Sequence, residues 1–120
     1  MRGLYLERDM TDEGPMVEAL RSREWEVRTL ATVEHAQRQL REEGARIDFI
    51  LIRQPEADGA LRVFLAELRR DHPGLRIALN LTLPAAERGA GLRAQVDLFL
   101  PTGIHDQDAA DAVAQMLRLP

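Results

Sequence analysis

Asp48-Phe49-Ile50-Leu51-Ile52-Arg53 decides the fold of this chain. Ile47–Ile52 is a nearly continuous apolar run, the pattern of a parallel strand covered on both faces. It ends in a charge. An earlier segment, Leu4-Tyr5-Leu6-Glu7-Arg8-Asp9, does the same. Two buried strands with charges at their carboxyl ends place a polar cluster at one edge of a sheet. In open α/β sheets that edge holds the functional groups.

Outward from these strands, strand and helix patterns alternate five times. The first helix is expected over Glu13–Arg23, with Pro15 in its first turn, where a missing N–H costs little. Trp25–Leu30 alternates as a strand. Thr32 is a plausible N-cap for a helix over Val33–Glu43, and Gly44 a plausible stop. Asp58-Gly59 opens a third helix, which runs to about Asp71 with Leu61, Phe64, Leu65 and Leu68 at helical spacing. His72-Pro73-Gly74 ends it, and Leu75–Leu81 is the fourth strand. Leu83-Pro84 opens a fourth helix of about ten residues, weakened by Gly89 and Gly91. The fifth strand is Asp97–Leu100, and Asp106 is a candidate cap for a fifth helix over Gln107–Arg118. Such alternation with short connections argues one doubly wound α/β domain over residues 1–120, built on a five-stranded parallel sheet.

Composition narrows the chemistry. The chain has 120 residues, 45% hydrophobic and 30% charged, with a net charge of −4. It reads as a soluble globular domain. No apolar run approaches a membrane span, and no signal peptide precedes the first strand, so a cytoplasmic protein is expected. There is no cysteine, no lysine and one serine, Ser22. Disulfides, thiolate catalysis and lysine chemistry are thereby excluded. All sixteen basic residues are arginines, and they are spread among the acids. No basic patch marks a nucleic-acid surface. His35, His72 and His105 lie on different elements and do not form a metal-ligand pattern. The Arg69-Arg70 pair reads as a solvated helix face, and Arg88-Gly89-Ala90-Gly91 lacks the strand-to-helix setting and lysine of a phosphate loop.

With these elements in place, the chain resembles the receiver domains of bacterial two-component response regulators over its full length. The resemblance rests on Met1-Arg2-x-Leu4-x-x-Glu7-x-Asp9, on Asp48-Phe-Ile-Leu-Ile, and on Val96-Asp97-Leu98-Phe99-Leu100-Pro101-Thr102. It implies a CheY-like, flavodoxin-like (βα)5 fold with strand order 2-1-3-4-5. It also implies an acidic pair holding Mg²⁺, a phosphoaccepting Asp after the third strand, a Ser/Thr after the fourth and a Lys after the fifth. This sequence departs from that set. Glu7 falls on the first acidic position, Arg8 on the second, and Asp9 is an additional acid. Arg53 falls on the phosphoacceptor, Asn80 on the Ser/Thr with Thr82 as the alternative, and Thr102 on the Lys.

Arginine cannot replace the acceptor, because acyl-phosphate formation needs a carboxylate nucleophile and a guanidinium stays protonated. Two guanidinium charges would each repel Mg²⁺ by ~1 kcal/mol even in bulk-like dielectric. The resemblance therefore implies an atypical pseudo-receiver: no enzyme, no cofactor, no metal, a module of signalling or transcription regulation that works without phosphorylation by docking or dimerising. Arg8 and Arg53 are expected as internal cations countered by Glu7 and Asp9. The family's dimer face, formed by the fourth helix, fifth strand and fifth helix, would here carry Arg88, Arg93, Asp97, Asp108 and Asp111. Two other functions stay open: an anion- or nucleotide-binding sensor using Arg8 and Arg53, and a non-standard phosphoacceptor at Asp9 or Glu56.

Overall fold

The computed structural model describes residues 1–8, 14–82 and 92–118. Five strands form one parallel sheet: β1 (Arg2–Glu7), β2 (Glu26–Leu30), β3 (Phe49–Gln54), β4 (Arg76–Leu81) and β5 (Leu98–Leu100). Their order is β2-β1-β3-β4-β5, as the resemblance implies. Four α-helices lie among the described residues: α1 (Pro15–Arg21), α2 (Val33–Glu43), α3 (Gly59–Asp71) and α4 (Asp106–Arg118). The fourth helix expected from sequence falls on residues outside those described, so α4 corresponds to the fifth.

Alternation along the strands builds two cores. Leu4, Leu6, Ile50, Ile52, Ile77 and Leu79 face one way and meet Leu40 of α2 and Phe64, Leu65 and Leu68 of α3. Tyr5, Phe49, Leu51 and Ala78 face the other way and meet Met16, Val17 and Leu20 of α1 and Ala110, Val113 and Met116 of α4. The central strands are therefore apolar on both faces, which is why β3 reads as a continuous hydrophobic run. On the α1/α4 face the Phe49 ring occupies the space beside Gly3. A Cβ at Gly3 would lie 2.2 Å from Phe49 Cζ. Trp25 packs edge-on against the same ring, with centroids 5.4 Å apart.

Local signals set most helix boundaries. Pro15 sits at the start of α1. The Thr32 hydroxyl accepts from His35 N at the start of α2, and the Asp58 carboxylate accepts from Leu61 N at the start of α3. Beyond shifts of one or two residues, as where α1 ends at Arg21 rather than Arg23 and β2, β4 and β5 each start one residue late, three boundaries differ in kind from expectation. Gly44 is not a left-handed stop. It is right-handed, with φ −52°, and leads into a 3-10 turn over Gly44–Arg46. Its lack of a side chain serves a close approach instead, since a Cβ would lie 2.9 Å from His72 Cε1. Asp106 does not cap α4 but is its first residue. The preceding His105 supplies its carbonyl to Ala109 N and its Nδ1 to Gln107 N. Finally, β3 begins and ends two residues later than the apolar run, so Arg53 lies inside the ladder, in register with Glu7 on β1 and Asn80 on β4.

Arg69 also departs from the solvated role expected for it. Its guanidinium donates to the Gln95 and Leu75 carbonyls and pairs with Asp97 at 2.9 Å. It thereby ties α3 to the entry of β5. Its head thus finds acceptors on neighbouring elements rather than in solvent alone. Arg70 keeps an exposed pair with Asp71.

Candidate functional site at the carboxyl ends of the strands

Arg53 points to the α1/α4 face, as do Leu51 and Phe49 two and four residues before it. Its Nε donates to Asn80 Oδ1 at 3.0 Å, and its Nη2 reaches Asp106 Oδ1 at 3.1 Å. The two charged side chains are 18% and 28% exposed, so this pair is largely withdrawn from solvent. Asn80 is buried and held from both ends, because its Nδ2 donates to the Pro101 carbonyl at 3.2 Å. The Thr102 hydroxyl donates to the Leu81 carbonyl at 2.8 Å. Thr82, the alternative to Asn80, stands exposed and contributes its backbone amide to the Gln54 carbonyl. Arg53, Asn80 and Thr102 thus form a hydrogen-bonded belt from β3 across β4 to the β5–α4 connection.

A second pair closes the other side of this edge. Arg8, just past β1, donates to the Asp58 carboxylate that caps α3. The Leu61 N–H bond, with the Arg8 bond behind it, holds the Asp58 carboxyl below its ordinary range. A depressed carboxylate contributes stability above its unfolded pKa and loses it as pH falls through the folded value. We expect Asp58→Ala to cost about 1 kcal/mol at neutral pH, the usual cost of an N-cap. Urea midpoints should show this cost shrinking as the pH is lowered through the acidic carboxylate range.

Among the described ion pairs, none joins Glu7 to either arginine. Glu7 accepts from the Tyr5 hydroxyl at 3.2 Å. Burial pushes the Tyr5 phenol well above its ordinary value, Arg53 acts against this, and Glu7 adds to it. Among the described residues Asp106 serves Arg53 and Asp58 serves Arg8, which corrects the expectation of Glu7 as a direct counter-ion. The reason is reach. A side chain on the α1/α4 face at the end of β3 meets the first turn of α4, and one just past β1 meets the start of α3. Asp9 lies outside the described residues. Both partner acids sit at helix N-termini, where negative charge is favoured.

Sequence reasoning did not single out Asp58 or Asp106 as site residues. Each carried a helix-start signal, and neither its register nor its partner was visible along the chain. Gln54 was missed too. It turns to the opposite face, is 2% exposed, and donates through Nε2 to the Glu56 carbonyl at 2.6 Å, while its buried Oε1 has no partner among the described residues. Among the described residues no group of three His, Asp or Glu side chains could hold a metal.

The expected dimer face is only partly brought together. Asp97 is engaged within the chain, accepting from Ile77 N at 2.8 Å and pairing with Arg69 and Arg76. Asp111 pairs within the chain with Arg23. Asp108 is exposed in the first turn of α4. Arg88 and the side chain of Arg93 lie outside the description.

With the fold and this geometry in hand, comparison with solved structures is informative. An orphan response regulator of H. pylori superposes with a TM-score of 0.82 at 14% identity, over 98% of this chain and 97% of that one. The fold is that of receiver domains. An atypical orphan response regulator, described as having a phosphorylation-independent regulatory mechanism, gives 0.80 at 14% identity, over 100% and 98%. A CheY-like receiver domain protein of Methanospirillum hungatei gives 0.78 at 17%, over 97% and 92%. Comparison with protein-family models finds no match, and neither does comparison with curated proteins. On the receiver fold, the edge described above is the one where the resemblance places metal and phosphate. Here strand-end arginines pair across it with helix-start aspartates. No described helix is long and apolar enough to cross a membrane.

Proposed function

We propose that this chain is a regulatory module that carries no phosphoryl chemistry and acts by docking to a protein partner. The observation that carries this reading is the Arg53–Asp106 pair. A receiver of the ordinary kind has a carboxylate on the third strand and a cation after the fifth. Here the charges are inverted: the cation is Arg53 on β3, and the acid, Asp106, follows β5. The inverted pair joins β3 to α4 without phosphate, and Arg8–Asp58 joins the end of β1 to α3. The edge is held in one arrangement by its own side chains. A structural relative described as phosphorylation-independent supports the same reading.

In its finer form, this is the N-terminal regulatory part of a transcriptional regulator, with the α4–β5 side as the docking surface and exposed Asp108 within it. Use of Arg8 and Arg53 as an anion or nucleotide site is less well supported, because each guanidinium already carries an aspartate. The test is incubation with a small phosphodonor and Mg²⁺, followed by intact mass. We expect no 80 Da adduct, about the mass phosphorylation adds as a dianionic group. An adduct mapped to Asp9 or Glu56 would replace this reading with a non-standard phosphoacceptor.

A further inference from the structure

β2 forms one edge of the sheet and pairs with β1. The Glu26 amide donates to the Met1 carbonyl at 3.0 Å, on the β1 side. Backbone groups alternate sides along a strand, so Arg28 also bonds toward β1, and Val27 turns its amide and carbonyl to the free edge. The position of Arg21 agrees, because its Nη2 donates to the outward Val27 carbonyl at 2.8 Å. A surface groove of about 620 Å³ lies beside β1 and β2, lined by Arg2 and Leu4 as well as Trp25, Val27 and Arg28.

We propose that the β2 edge is a self-association surface whose occupant is the β2 strand of a second copy, laid antiparallel about a two-fold axis at Val27. An isologous contact needs a self-complementary patch, and this strand has one. With the axis at Val27, the two Val27 residues form a hydrogen-bonded pair, each amide meeting the other carbonyl. Glu26 of each copy then lies opposite Arg28 of the other, giving two cross-strand ion pairs. A neighbouring register, with the axis at Arg28, would set arginine against arginine, which is unfavourable. Charge thus selects the register.

The side-chain contacts given up by Glu26 and Arg28 are exposed ones, the Arg28 hydrogen bond to Gln39 Oε1 among them. Glu26 leaves a pair with Arg2 in which its side chain is 73% exposed, and Arg28 leaves a 3.7 Å pair with Glu43 while 56% exposed. Exposed pairs of this kind contribute little. Arg21 acts as a removable cover over the Val27 carbonyl, a common way of guarding a sheet edge. One short strand makes a small interface, so the dimer is weak and salt-sensitive. β2 and β5 are opposite edges, so this surface goes beyond the docking side of α4 and leaves it open.

The test is sedimentation velocity on the whole chain over a dilution series in low salt. We expect a concentration-dependent dimer. Arg28→Glu and Glu26→Arg should each weaken association about tenfold or more, because each turns two attractive pairs into two repulsive ones. The combined Glu26→Arg/Arg28→Glu variant should recover it, and Asp108→Arg should leave it unchanged. Thermal melts of the variants keep a folding defect separate from an association defect. A chain that stays monomeric throughout the series overturns the proposal. So does a dimer that ignores both reversals or that is lost with Asp108→Arg. A phosphate adduct in the phosphodonor assay would leave this result untouched.

Discussion

Arg53→Met should lower the unfolding free energy by about 1–3 kcal/mol. Removing one partner of a withdrawn charge pair leaves the other uncompensated, and the full cost of a deeply buried pair is reduced here because both groups keep some solvent. The variant strands Asp106 and also removes the donor to Asn80 Oδ1. Arg53→Lys should cost less. It keeps a charge toward Asp106 but cannot serve two acceptors with the fixed fork of a guanidinium. Urea denaturation of Arg53→Met, Asp106→Ala and the double variant isolates the pair. The double variant should be less destabilised than the sum of the singles by roughly 1 kcal/mol or more, as residues in one network are. Additive losses would show that the two side chains act independently.

Gly3→Ala should be at least as damaging, at about 2–3 kcal/mol, a typical cost of overpacking a core. The added methyl would meet the Phe49 ring at distances between 2.2 and 2.6 Å. That ring cannot simply withdraw. It is fully buried on a central strand, and Trp25 packs edge-on against it. A smaller side chain opposite should relieve the clash, so Gly3→Ala with Phe49→Leu should recover part of the loss. Thermal melts of the single and double variants provide the check. A melting temperature for Gly3→Ala equal to that of the parent would mean that the sheet yields there at no cost.

Most of the fold was legible because its signals are local or periodic. Pro15, Thr32 and Asp58-Gly59 mark helix starts by their own chemistry. The run Ile47–Ile52 announces a doubly covered strand, and the alternation of elements argues the layer order. The site was legible only in part. Arg8, Arg53, Asn80 and Thr102 could be placed at the strand ends by their position in the pattern. Their partners could not, because pairing is a tertiary fact. Asp106 is 53 residues from Arg53 and Asp58 is 50 from Arg8. Sequence proximity pointed to Glu7, which serves the Tyr5 hydroxyl instead, and to Asp9, which lies outside the described residues. Gly44 misled for a related reason. A glycine after a helix resembles a left-handed stop, but this one makes room for His72. Arg69 and Asp97, read as surface charges, are bonded across elements that only the fold brings together.

The central claim is that guanidinium–aspartate pairs stand where metal and phosphate would act, and it is tested most directly by amide NMR during titration with Mg²⁺ and beryllofluoride. The resonances of Glu7, Arg8, Arg53, Asn80 and Asp106 should stay in place up to millimolar Mg²⁺, with or without beryllofluoride, because a divalent cation would face two guanidinium groups and find too few carboxylates. Saturable shifts confined to these residues would contradict the account and show a working metal and phosphoryl site.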